Sequence, residues 1–154
     1  MMQKPGTIES IFIAPAATAP MQRVGEVRAI PGVGLEGDRY AQKQGTFFKP
    51  EPDFELTLIE AEAIEAAARD FALELKDGES RRNVVTRGVS LNEMVGKEFQ
   101  VGEVRVRGIR LCEPCSHLER LTGKPVIKAM LHRCGLRAQI LNEGVMRTGD
   151  AVTY

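Results

Sequence analysis

Tryptophan is absent from this 154-residue chain, and its aromatics are limited to six Phe and two Tyr, so aliphatic side chains must build the core. No apolar run approaches the roughly 18 residues that a membrane-spanning helix requires, and membrane association is not expected. Histidine occurs twice, as His117 and His132, and no Gly-x-Ser-x-Gly elbow exists, so no Ser-His-Asp set can be assigned. Cys112, Cys115 and Cys134 are an odd number crowded into the last third, unlike the even, spread-out cysteines of a secreted disulfide framework. Near the N-terminus Lys4 is followed by Glu9, Pro15 and Pro20, which interrupt any signal-peptide core. The expected setting is therefore cytoplasmic and reducing, with free thiols.

Net charge is also lacking, because 21 Lys and Arg balance 21 Asp and Glu. Nucleic acid usually calls for a more basic domain and is not an expected partner. The balance hides a polarity: residues 1–77 carry 8 basic and 13 acidic side chains, and residues 78–154 carry 13 and 8. Ten of those later 13 bases are Arg, a residue suited to bidentate contact with phosphate or carboxylate. Mutual attraction of two halves of one domain also accounts for the split.

What is present reads as many short strands. Thr7–Ala14 is apolar and β-rich, and Glu26–Ile30 alternates before a Pro31-Gly32 turn. Gly32 to Tyr40 holds three glycines and forms a loop, and residues 45–54 look irregular. Thr57–Leu75 is predicted as the one long helix, with Ala61, Ile64, Ala68, Phe71 and Leu75 on its apolar stripe and Asp77-Gly78 closing it. Asn83–Thr86 is a further strand, and Ser90 a cap for a single helical turn. Beyond Lys97, Phe99/Val101 and Val104/Val106 alternate, and the phase slips at Gly108, as a bulge would require. Short helices are predicted at His117–Leu121 and Val126–His132, followed by a strand at Leu136–Ile140. A hairpin loop at Asn142–Gly144 then leads to Val145–Arg147, and Ala151–Thr153 is last. This pattern does not suggest βαβ units. It predicts one domain over residues 1–154, mainly β, a small barrel with one long helix and a few short peripheral ones.

Three segments could carry chemistry. In Leu111-Cys-Glu-Pro-Cys-Ser-His117, Cys115 stands before a predicted helix start that would favour its thiolate. Alternatives are two buried core thiols, a dithiol redox pair, or a zinc site formed by Cys112, Cys115, His132 and Cys134. Arg81–Gly88 offers bases, an amide and a hydroxyl for phosphate oxygens or a heterocycle edge, though solvated arginines beside a strand explain it too. Leu35-Glu-Gly-Asp-Arg39 could cradle an anion but lacks the Lys-Ser/Thr ending of a Walker loop, and the alternative is an ordinary turn that Asp38 caps.

Taken in order, Gly34-Leu-Glu-Gly-Asp38, Arg82-Asn-Val-Val-Thr-x-Gly88, Pro114-Cys115 and Leu136-Arg-Ala-Gln-Ile-Leu-x-x-Gly144 resemble the MOSC domain, the module named after the C-terminal part of molybdenum cofactor sulfurase. The resemblance implies a β-barrel acting on sulfur or on the molybdenum cofactor (molybdopterin). The family's motif cysteine falls on Cys115, proposed in some members to carry a persulfide and in the amidoxime-reducing branch a ligand of molybdenum. The resemblance thus makes Cys115 the catalytic residue and metal ligand. It gives Arg82 and Asn83 the pterin or phosphate, with Gly37, Asp38, Arg39, Thr86 and Arg137 completing a cofactor site. The longer members' extra N-terminal barrel and iron–sulfur segments have no counterpart, so a reductase would need an electron-transfer partner, and a sulfur carrier a sulfur donor. Cys112 could resolve a persulfide on Cys115, which favours sulfur handling. A non-catalytic module with structural zinc, or a bare adaptor barrel, are the alternatives.

Overall fold

The computed structural model describes residues 4–43 and 51–154. The chain opens with β1 (Gly6–Ile13), β2 (Gln22–Val24), β3 (Glu26–Ile30) and β4 (Gly34–Leu35). A 3-10 turn at Pro52–Phe54 leads into β5 (Leu56–Glu60), helix α1 (Ala61–Phe71) and β6 (Val84–Arg87). A second such turn, Leu91–Met94, precedes β7 (Glu98–Val101) and β8 (Val104–Leu111). Helices α2 (Ser116–Thr122) and α3 (Val126–Met130) follow, then β9 (Leu136–Ile140), β10 (Gly144–Arg147) and β11 (Ala151–Thr153).

Seven strands hydrogen-bond in the order β11-β7-β8-β9-β5-β6-β1, and pairing of β1 back to β11 closes them into a barrel, with β2 appended to β1. Closure leaves no long unpaired edge. The expectation of a mainly β barrel with few helices holds. Inside, Ile8, Leu56, Leu58, Phe99, Val106, Leu136 and Ile140 form an aliphatic core with one aromatic ring, as the lack of Trp required. Gly108 sits at a register shift between β8 and β9, where the phase slip predicted a bulge. Met94 carbonyl oxygen occupies the space that a Cβ there would need.

A second core lies outside the wall. Ile59 and Val85 point away from the barrel and pack with Ala63 and Ala67 of α1, Leu118 of α2, and Val126 and Met130 of α3. This double burial explains the principal departure from the sequence reading. Residues 57–60, expected as the first turn of a helix, are strand, because Leu56, Leu58 and Ile59 are apolar toward both layers. The helix begins only at Ala61 and ends at Ala72, whose φ of 52° is left-handed, well before Asp77-Gly78. Its buried face carries Ala61, Ala63 and Ala67, while Phe71, placed on the apolar stripe by periodicity, is 43% exposed.

Three further expectations change. β5 and β6 are parallel neighbours joined through α1, so the fold contains one βαβ unit after all. The Asn142–Gly144 turn does not close a hairpin: β10 leaves the barrel and pairs with β3, in a separate sheet ordered β10-β3-β4. Ser90 precedes the Leu91–Met94 turn but makes no side-chain cap. Glu60 supplies it instead, its carboxylate accepting the Leu91 N–H at 3.0 Å. The irregular stretch expected over residues 45–54 lies outside the described residues as far as position 50.

Candidate functional site

Register builds one wall of a cleft. β5 and β9 pair Thr57 with Arg137, and β9 and β8 pair Arg137 with Arg110, which sets the three in a row across adjacent strands. Because Leu136 and Ala138 face the barrel interior, Arg137 faces out. Against this wall lie Arg39 and Tyr40 from the glycine loop, Arg81 and Arg82 before β6, and the Cys112–Cys115 turn with His117 and Leu118 of α2. The cleft is open to solvent, with a volume of about 60 Å³.

Four guanidinium groups converge there, and none is held alike. Arg82 is almost fully buried, with Nε donating to the Cys134 carbonyl at 2.7 Å and Nη2 to the Cys112 carbonyl at 3.2 Å and to Cys134 Sγ at 3.1 Å. Desolvation alone would lower its pKa, yet the surrounding Cys112 and Cys134 thiols outweigh it and the net direction is upward. Arg82 is thus a fixed charge tying the cysteine turn to the loop before β9. Arg39 donates to Asp38 Oδ1 at 3.0 Å and to the Arg81 carbonyl at 3.3 Å, and lies over the Tyr40 ring at 4.7 Å. Arg81 has a left-handed φ of 58° and donates to the Ala19 carbonyl at 2.7 Å. Burial pushes its pKa down, and the neighbouring Arg39 adds to that. Arg137 rests 4.8 Å from the centre of the Phe54 ring, and its buried Nε and Nη1 have no acceptor among the described residues. Buried donors left without partners are uncommon and call for an explanation.

The three thiols differ. All are free, Cys112 and Cys134 are buried, and Cys115 is half-buried at the mouth of the cleft, in extended backbone immediately before α2. Desolvation pushes the Cys134 thiol up from its ordinary value despite Arg82 beside it, so that sulfur stays protonated. Cys115 is the one within reach of solvent and of the guanidinium groups. The predicted zinc set does not assemble. His132 is exposed and tied to Glu113, Nδ1 lying 2.6 Å from Oε2, and among the described residues no group of three or more His, Cys, Asp or Glu could hold a metal.

Of the residues singled out from sequence, Arg39, Arg82, Cys115 and Arg137 line the cleft. Gly37, Asp38, Asn83 and Thr86 do not. Asp38 is buried and accepts the N–H groups of Ala14 at 3.0 Å and Tyr40 at 3.3 Å, so it pins the glycine loop to the end of β1. Gly37 turns that loop with a φ of 86°. Asn83 exchanges hydrogen bonds with Thr57 and donates Nδ2 to the Phe12 carbonyl, so it brackets β1, β5 and β6 behind Arg82. Thr86 is wholly buried, its hydroxyl without a partner among the described residues. Sequence reasoning missed Tyr40, Thr57 and the aromatic support from Phe54. A ring between Arg110 and Arg137 is visible only once the Pro52–Phe54 turn folds over β8 and β9. Arg81 was legible only as part of a basic run.

The sequence matches the MOSC domain family over residues 46–153, well over half of its length. The chain belongs to the MOSC domain family. The Gly34–Asp38 element lies before the matched span, but solved structures carry the likeness further. The crystal structure of the YuaD protein from Bacillus subtilis aligns with a TM-score of 0.79 and 15% identity, covering 99% of this chain and 98% of that one. YiiM from Geobacillus stearothermophilus gives a TM-score of 0.74 at 17% identity, covering 97% of this chain and 74% of the other. YiiM from Escherichia coli gives 0.66 at 19%, covering 99% and 69%. At these identities the likeness concerns the fold. No curated protein matches this MOSC domain by sequence. Among its described residues no helix is long and apolar enough to cross a membrane.

Proposed function

We propose that this MOSC domain binds the molybdenum cofactor in the cleft at Cys115, using the thiolate as a soft ligand or as a carrier of sulfane sulfur. The observation that carries the reading is Arg137, two of whose donors are buried without an acceptor among the described residues, in the same cleft as the one solvent-reachable thiol. Such donors suit the phosphate of the cofactor, and a thiolate suits molybdenum or sulfur. The cleft, about 60 Å³ and open to solvent, has room for an anionic group of the cofactor.

In this reading Arg137, Arg39 and Arg81 neutralise the anion, and Arg82 supplies a permanent positive charge behind the thiol while fixing the Cys112–Cys115 turn through its carbonyl contacts. When bound, the cofactor would supply oxygen-atom or sulfur chemistry at molybdenum. Electrons for a reduction would come from an electron-transfer partner, and sulfur for a transfer from a sulfur donor.

The test is metal and pterin content after expression in a host that makes molybdopterin. The full chain should retain molybdenum and pterin in equal amounts, and Cys115→Ala should lose the metal with its fold intact by circular dichroism. Unchanged metal in that variant would remove the assignment.

A further inference from the structure

The cleft combines a half-buried thiol, a cluster of guanidinium groups and a small volume open to solvent. One water occupies about 10–15 Å³, so about 60 Å³ holds a handful of waters. That is room for one small tetrahedral oxyanion. Arg39, Arg81, Arg82 and Arg137 line it; Arg39 is paired with Asp38 at 3.0 Å behind the wall, and the one carboxylate in the lining, Glu113, is engaged by His132 through both its backbone N–H and its ring. Arg137 presents two buried donors that no group among the described residues satisfies.

We infer that the cleft takes a small tetrahedral oxyanion bearing a sulfane sulfur, of which thiosulfate is the simplest, and that Cys115 accepts that sulfur. The inference rests on the proposed function in one respect, that Cys115 is the reactive thiol, and adds to it the chemical class of the sulfur donor.

The step balances without an added oxidant or reductant. Cys115 loses its proton to solvent through the open cleft. Its thiolate then attacks the outer sulfur of thiosulfate, a bond forms between Sγ and that sulfur, and the sulfur–sulfur bond of thiosulfate breaks. The electron pair of the broken bond leaves with sulfite. The product is a persulfide on Cys115. Attack of a thiolate on a dianion is opposed by like charge, and the guanidinium groups offset that repulsion on approach and stabilise the sulfite as its charge develops. A nucleophilic acceptor then removes the terminal sulfur and regenerates the thiolate. With cyanide the product is thiocyanate.

The experiment incubates the purified full chain with thiosulfate and follows sulfite release, the mass of the Cys115 peptide, and thiocyanate formation when cyanide is added. The expected result is one sulfur atom gained on Cys115, sulfite released with it, and turnover with cyanide that Cys115→Ala abolishes. Removing a donor aimed at developing negative charge should make Arg137→Gln about a hundredfold poorer in kcat/KM. Sulfate should compete with thiosulfate in the unaltered protein, a readout that stands even if the Arg137 variant fails to fold. No sulfite above the protein-free rate, sulfur found on Cys112 or Cys134 instead, or no competition by sulfate would overturn the inference. Molybdopterin content of the same preparation separates the two readings. Sulfite release without retained cofactor keeps this one and removes the other, and retained cofactor without sulfite release does the reverse.

Discussion

The Arg137 guanidinium carbon lies 4.8 Å from the centre of the Phe54 ring, on a side chain whose Nε and Nη1 meet no acceptor among the described residues. The ring therefore steadies the charge without consuming its hydrogen bonds. A guanidinium held by carboxylates would be neutralised before any ligand arrived, whereas one held on a π face keeps its donors for a guest. Replacing Phe54 by Leu removes the face and keeps an apolar side chain. Oxyanion affinity, read as protection of Cys115 from alkylation by added sulfate, should fall about twofold to fivefold, given about 0.5–1 kcal/mol for such a contact. Undiminished protection would show that the ring does not position Arg137.

Arg82 makes a different kind of contact. Its donors satisfy the carbonyls of Cys112 and Cys134, both on buried residues, and its charge sits among thiols. Arg82→Met leaves those carbonyls, both on buried residues, without their donors. The expected loss is about 3 kcal/mol, read from the urea unfolding midpoint. A variant as stable as the unaltered protein would contradict this clamp.

Glu55 gives the fold a pH dependence of opposite sign to the usual carboxylate. It is buried, and one oxygen accepts the Gly32 N–H at 3.0 Å and the Ile140 N–H at 3.3 Å. Desolvation nonetheless pushes its pKa up from the ordinary 4.5, the two backbone hydrogen bonds only partly opposing it. A raised folded pKa means that the folded state binds the proton more tightly, so this contribution to stability is fully present below pH 4.5 and is lost as pH rises through the raised value. Comparing melting temperatures with Glu55→Gln, which does not titrate there, isolates the effect. The difference should shift in favour of Gln as pH rises from 4.5 and then level off. A constant difference across that window would rule this account out.

Ala72 closes α1 at a φ of 52°, a conformation that costs a residue with a Cβ about 1 kcal/mol. Ala72→Gly relieves that strain, although Gly gains freedom in the unfolded chain. The net expectation is a modest gain of about 0.5 kcal/mol, visible as a rise in melting temperature. A lower melting temperature would indicate that the methyl group packs usefully.

The barrel was largely legible in the sequence because alternation reports which face of a strand is wet. Val104 and Val106 against Arg105 and Arg107, or Leu136, Ala138 and Ile140 against Arg137 and Gln139, specify inward and outward sides directly. The phase slip at Gly108 was readable for the same reason. Where a segment is buried on both sides that signal vanishes. Leu56–Ile59 is apolar toward the barrel and toward the helical layer, so its pattern merged with the helix behind it, and the parallel β5–β6 pair went unseen.

Local chemistry, namely a proline-flanked cysteine before a helix start, a basic run before a strand and a glycine loop, was written in the amino-acid order and named Cys115, Arg39 and Arg82, while Arg137 was implied only by the resemblance to the MOSC domain. Order alone could not divide residues that face the cleft from residues that hold those in place. Asp38 and Asn83 carry the same polar chemistry as a ligand-binding group, yet their partners include Ala14, Thr57 and Phe12, distant in sequence. Nor could it place Phe54 between Arg110 and Arg137, or set His132 apart from the cysteines. Those outcomes follow from strand register and from the closing of the barrel, which decide which side chains share a face across segments far apart in the chain. A linear pattern records each residue's affinity for water, and only the folded chain gives it neighbours.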